Sequence, residues 1–242
     1  LLNNPHSNPL REVGSVAWPT VLTMTSFTFM QFVDQLMVSQ VGPTEVAAQG
    51  SGAIWAFVPL AFAMGLLSIV NTWVSQNVGA GKNSETSIYG WTAIWLSLAI
   101  WLVILIPWAF MLPWFFAMVH PGASEELLAM ETQYGQILMV GGFFTLGARG
   151  IHQFFFGTLR PIVVTMSAIS GNIVNIVVSY VLVFGDQGVE HLGLPGIPGI
   201  APMSVAGAAW GTVAGVFVEL LVPMIVFLGP ATHARYNTRS TW

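Results

Sequence analysis

Six stretches of this chain run for more than twenty residues with hardly a charge, and that pattern limits the fold more than any motif does. They cover residues 13–40, 46–78, 88–119, 133–157, 162–185 and 205–228. A helix needs roughly 20 mostly apolar residues to cross a bilayer. The runs are continuous, without the ten-residue alternation of a barrel strand, so helices are indicated. The predicted fold class is therefore all-α: a polytopic transmembrane helix bundle of six spans, forming a single domain over residues 1–242. Only 7% of residues are charged, against about 25% in a soluble domain, which leaves too little charge for a water-facing surface. A soluble enzyme and a disordered chain are excluded. Six Lys and Arg against ten Asp and Glu give a net charge of −4, so there is no basic footprint for nucleic acid. The absence of Cys removes disulfides and thiolate chemistry. No nucleophile–base set and no metal-ligand spacing is visible, so the chain does not read as an enzyme or a metal protein. Gly79-Ala80-Gly81-Lys82 lacks both the preceding strand and the Ser or Thr after Lys that a phosphate loop requires.

The few charges sort by side. Arg11, Lys82, Arg160, Arg235 and Arg239 fall on the tails and alternate loops of one side, with Arg149 in the half of the fourth span nearest to it. Glu45, Glu125, Glu126, Glu131, Asp186 and Glu190 fall on the other. The positive-inside rule then places both termini in the cytoplasm of a multi-pass protein of the cell (plasma or inner) membrane. Trp108 and Trp114 suit an outer aromatic belt and Trp91 an inner one.

Charges inside spans are costly and mark candidate functional sites. Asp34 lies in the first span, on a stripe with Gln31, Met30 and Phe27, suited to a wet cavity or an adaptable binding surface. No cation lies near it in sequence. An unpaired carboxylate in a low-dielectric site is expensive to keep ionised, so Asp34 is placed to load and release a proton or to coordinate Na+. Thr165, Asn172, Asn175 and Ser179 share one face of the fifth span. Their amides and hydroxyls can serve a carboxyl or a cation, or simply bond helix to helix, the reading favoured for Thr165. In the sixth span Gly207, Gly211 and Gly215 make a small-residue face for close packing. That line ends on Glu219, whose neighbours one turn away offer no partner; it is a candidate second proton site. Arg149 and His152, one turn apart, read as a lipid-headgroup contact or a structural ion pair.

Taken in order, these pieces resemble one family, the multidrug and toxic compound extrusion (MATE) transporters. Val33-Asp34-Gln35-Leu36-Met37-Val38-Ser39 with Val41-Gly42 is similar to the family's first-helix motif. Val74-Ser75-Gln76 through Gly79-Ala80-Gly81 resembles the end of its second helix, and Arg149-Gly150 through Arg160-Pro161 its helix four to five crossing. Gly171-Asn172 with Val174-Asn175 resembles the fifth helix, and Val205-Ala206-Gly207-Ala208-Ala209 with Thr212 the sixth. The resemblance implies a secondary active transporter, an antiporter that exports small organic, often cationic, compounds by alternating access against a proton or Na+ gradient. It implies that Asp34, Asn175 and Thr212 line a cation-coupling site, with Gln31, Met30, Phe27 and Asn172 along the substrate cavity. Ser179 departs from the family, many of whose members carry Asp or Asn there; this weakens a Na+ site and favours H+. No cofactor is implied. Family members have two six-helix lobes, and this chain resembles the N-terminal one, so a second lobe is expected as its missing partner, with a natural half-transporter as the less favoured expectation. Two other readings stand behind this one: a lipid-linked oligosaccharide flippase of the same superfamily, which would want a more cationic cavity, and a non-transporting membrane fragment or scaffold.

Overall fold

A computed structural model describes residues 9–189 and 193–241. Glu190, one of the acids expected on the outer side, lies outside the described residues, as does the side chain of Arg11. The order is α1 (Pro9–Ser39), α2 (Pro43–Leu67), α3 (Ile69–Gly79), α4 (Asn83–Ile100), a π-helical turn (Trp101–Leu105), α5 (Ile106–Val119), α6 (Glu125–Val140), α7 (Gly142–Gly157), α8 (Pro161–Phe184), α9 (Ser204–Leu228) and α10 (Pro230–Tyr236). Among the described residues four rods are long and apolar enough to cross a membrane: Pro43–Gly79, Asn83–Val119, Pro161–Phe184 and Ser204–Leu228. The 31-residue α1 and the α6–α7 pair supply two more rods, with more polar residues along them. The chain is thus a helical membrane bundle.

Starts are set by local chemistry. Pro43, Pro161 and Pro230 open α2, α8 and α10, where a missing N–H costs nothing. The α6 helix begins at Glu125 and not at 133, because Ser124 caps it: the Leu127 N–H donates to Ser124 Oγ at 3.2 Å, with Glu125 and Glu126 in the first turn. That correction carries Glu131 with it. Expected on the solvated outer surface, it is 2% exposed inside α6, paired through Oε2 with His120 Nδ1 at 3.1 Å.

Interior prolines explain three cross-helix bonds. Each frees the carbonyl four residues earlier, and in each case a side chain from another helix satisfies it. Pro59 frees Trp55, which accepts from Trp108 Nε1 at 3.2 Å. Pro113 frees Ala109, which accepts from Gln136 Nε2 at 3.0 Å. Pro223 frees Glu219, which accepts from Ser167 Oγ at 2.6 Å. Trp108, expected as a membrane-belt anchor, therefore has its polar edge turned to a backbone carbonyl. Trp91, read as an inner-belt anchor, likewise donates to the Thr238 carbonyl at 2.7 Å and, with Ser87 donating to the Tyr236 carbonyl at 2.6 Å, ties the segment after α9 to α4.

The main apolar core joins α2, α3, α4, α5 and α7 around Leu67, Phe116, Leu146, Phe154 and Phe155. A second cluster joins α6, α8 and α9 around Val183, Ala208 and Val213. Between this second group and α1 lies the site.

Candidate functional site

The site exists because α8 and α9 touch backbone to backbone. A Cβ added at Gly207 would stand 2.6 Å from the Leu182 carbonyl, at Gly211 2.8 Å from Ser179 Cα, and at Gly215 2.8 Å from both Asn175 Cβ and the Gly171 oxygen. Real carbon atoms do not approach so closely. The glycine line thus sets the depth at which Asn175 and Ser179 of α8 meet Thr212 of α9. The α1 helix lies across them, held by polar contacts that include two: Asn172 Nδ2 donates to Ser26 Oγ at 2.6 Å, and Thr23 Oγ1 donates to Thr165 Oγ1 at 3.0 Å.

Asp34 enters at this junction, 5% exposed. Asn175 Nδ2 donates to Asp34 Oδ2 at 3.2 Å and is 3.4 Å from Thr212 Oγ1. The Thr212 hydroxyl donates in turn to the Ala208 carbonyl at 3.1 Å. Three buried oxygens converge here without a close hydrogen bond of good geometry among the described residues: Asp34 Oδ1, Asn175 Oδ1 and Ser179 Oγ, with the Ser179 and Thr212 hydroxyls near enough to the Asp34 carboxyl to bond it. Each is a polar atom removed from water, normally an unfavourable arrangement of about 1–3 kcal/mol. Their convergence on one carboxyl makes a receptor for a proton or a small cation.

This junction forms one wall of a cavity of about 600 Å³. Phe27, Met30 and Gln31 of α1 line it, as do Asp34, Asn172, Asn175, Thr212 and Glu219. The structure therefore gathers the candidate residues into one place, with Ser179 set behind the lining against Gly211. Gln49 of α2, Tyr134 of α6 and Arg149 of α7 complete it. Sequence reading passed over Gln49 and Tyr134. Single polar residues in helices carry no periodic signal, and only the packing shows which way they face.

Glu219 differs from its sequence portrait. It is 7% exposed, but it has partners. Arg149 Nη1 lies 3.4 Å from Glu219 Oε1, and His152 Nδ1 lies 3.9 Å from the same oxygen. The Arg149 guanidinium also stands over the Phe27 ring, 5.5 Å from its centroid, a cation–π distance. Arg149 thus belongs to the cavity wall and makes the ion pair that was one of its two expected roles. No group of three or more His, Asp or Glu able to hold a metal occurs among the described residues.

Comparison with known proteins places the chain in a family. The sequence profile of the MatE family matches residues 19–181. The "Probable multidrug resistance protein NorM" of Neisseria meningitidis is 25% identical over 197 residues, covering 81% of this chain and 42% of the relative. The "Multidrug resistance protein PmpM" of Pseudomonas aeruginosa is 29% identical over 195 residues, covering 77% and 39%. In fold, the chain is similar to a MOP superfamily transporter from Pyrococcus furiosus (TM-score 0.78, 20% identity, 98% of this chain and 49% of that one). It is also similar to the eukaryotic MATE transporter AtDTX14 (TM-score 0.77, 18% identity, 96% and 48%). The chain spans about half the length of the relatives and structures it matches.

Proposed function

The chain belongs to the MatE family of membrane transporters, and from that premise we propose that it forms one lobe of a cation-coupled antiporter that exports small organic compounds by alternating access. The second lobe is its partner. Asp34 is the coupling residue. The observation that carries this reading is the Asp34 carboxyl, buried at the α1–α8–α9 junction among the polar groups of Asn175, Ser179 and Thr212 and facing a cavity large enough for an organic ligand.

The chemistry follows from the partners. Asn175 can serve either charge state, because its amide donates to a carboxylate and its carbonyl oxygen accepts from a carboxylic acid. The charge state of Asp34 thereby biases how α1 packs on α8 and α9. A substrate with an amine or other cationic nitrogen gains from ionised Asp34 and loses when the proton returns, so outward substrate movement is linked to inward ion movement. Proton coupling is favoured over Na+. A Na+ ion in the same place has one formal charge and neutral amide or hydroxyl oxygens around it, and Ser179 supplies a hydroxyl where a second carboxylate would bind the ion better. The membrane is the cell membrane, with both ends of the lobe on the cytoplasmic side.

The test is gradient-driven efflux of a fluorescent organic cation from proteoliposomes carrying the full-length protein. Asp34→Asn is expected to insert normally and to lose gradient-driven efflux. Wild-type efflux by that variant removes the assignment.

A further inference from the structure

The cavity has a second carboxyl with an unusual set of neighbours. Pro223 removes the helical donor from the Glu219 carbonyl. Ser167 Oγ supplies the replacement, donating at 2.6 Å. A serine hydroxyl has one proton. With that proton spent on a carbonyl, which can only accept, Ser167 Oγ must accept from its other neighbour, His152 Nε2, 3.2 Å away. His152 is therefore an Nε2–H donor. In the neutral ring the lone pair then sits on Nδ1, and Nδ1 faces Glu219 Oε1 at 3.9 Å. Two lone pairs opposed at that distance repel. A single proton, on the carboxyl or on the ring, turns the repulsion into attraction.

We propose that Glu219 and His152 share a proton and form a second proton-binding site, separate from Asp34, with Ser167 as its positioning residue and Arg149 as its link to the cavity. Thr212 and Glu219 are seven residues apart on α9, about 10 Å along its axis. The two sites therefore sit at different depths of one cavity.

The groups facing Glu219 come from α7: Arg149 at 3.4 Å and His152 at 3.9 Å. The α8 helix, packed along α9, has no Asp, Glu, Lys, Arg or His; its Gly171 meets Glu219 Cβ, and its Ser167 meets the carbonyl. Across the cavity, Asp34 stands on α1 and Tyr134 on α6. The α2 helix has only Glu45, in its first turn, and α10 has His233 and Arg235 in its last turn.

Arg149 gives the site a consequence. While Glu219 is ionised, it holds the guanidinium. When that proton sits on the carboxyl, Arg149 loses its carboxylate, and an unpaired cation is left over Phe27 in the cavity wall. On the transport reading above, this disfavours a cationic substrate just as a proton arrives.

The experiment compares Asp34→Asn with the double variant Asp34→Asn/Glu219→Gln in lipid bilayers, so failure of the Asp34 reading does not touch it. Proton uptake is titrated across the range in which histidine-type sites change charge, about pH 5 to 8. Asp34→Asn is expected to bind one proton per chain more than the double variant. Equal uptake by the two overturns the proposal. Nitrogen NMR of protein labelled with 15N-histidine, its signals assigned by loss in His152→Asn, needs no change at Glu219 and so decides even if the double variant folds poorly. Neutral His152 as the Nε2–H tautomer supports the shared proton; the Nδ1–H tautomer overturns it. Ser167→Ala is expected to scramble that tautomer and Ser167→Thr to restore it, a result that loss of packing alone does not produce.

Discussion

The cavity has two carboxyls, and they are held in opposite ways. Asp34 has only neutral company, the amide of Asn175 and the hydroxyls of Ser179 and Thr212. Glu219 is bracketed by a guanidinium, an imidazole and, at its backbone, a serine. A carboxyl surrounded by neutral dipoles changes charge without breaking an ion pair. One paired to arginine cannot gain a proton without releasing a cation. The first arrangement suits a primary switch. The second suits a site that passes the consequence of proton binding to a neighbour.

The contrast can be broken most sharply at Arg149. Removing one partner of a buried pair leaves the other uncompensated, at a cost of about 3–5 kcal/mol. Since Arg149 is 29% exposed, a loss near the lower end, about 3 kcal/mol, is expected for Arg149→Met in denaturant unfolding, with most of it recovered in Arg149→Met/Glu219→Gln. Asp34→Asn has no such ion pair to break, so its stability is expected within about 1 kcal/mol of wild type while its coupling is lost. A large loss of stability in Asp34→Asn would erase the distinction between the two carboxyls.

The helix joint beneath both comes next. Gly211→Ala forces a methyl against Ser179 at the α8–α9 contact, and about 1–3 kcal/mol of destabilisation is expected. Unchanged thermal unfolding would mean that the two helices can separate freely. Ser167→Ala leaves the Glu219 carbonyl without a donor, with about 1–3 kcal/mol lost by the same measurement. The smallest effect is expected for Thr212→Val, where a membrane hydrogen bond averages about 0.6 kcal/mol. Its signature is a modest change in apparent substrate affinity with little change in stability.

How far the sequence revealed this site depends on the kind of signal. Asp34 was legible because an unpaired charge in an apolar run is rare, and Gly207, Gly211 and Gly215 because their spacing by four marks one face of a helix. Asn175 was legible as a polar residue on a shared face, but that face alone left cation ligand and helix bond as equal readings. Arg149 and Glu219 are 70 positions apart, on α7 and α9, so no spacing within one helix could pair them. The buried Glu131 was misplaced for a local reason: α6 starts at the Ser124 cap, well before the apolar run at 133 from which the span was placed. The breaks at Ser68 and Gly141 were also invisible in hydropathy, which stays high across both.

On the proposed mechanism, Asp34 is the group that exchanges a proton for substrate. Binding of an organic cation to the full-length protein in weakly buffered solution, followed with a pH indicator, reads this directly, since linkage makes substrate-driven proton release and proton-driven substrate release the same free energy. Proton release on cation binding is expected in wild type, retained at least in part by Glu219→Gln and abolished in Asp34→Asn. Wild-type release by Asp34→Asn would contradict the mechanism.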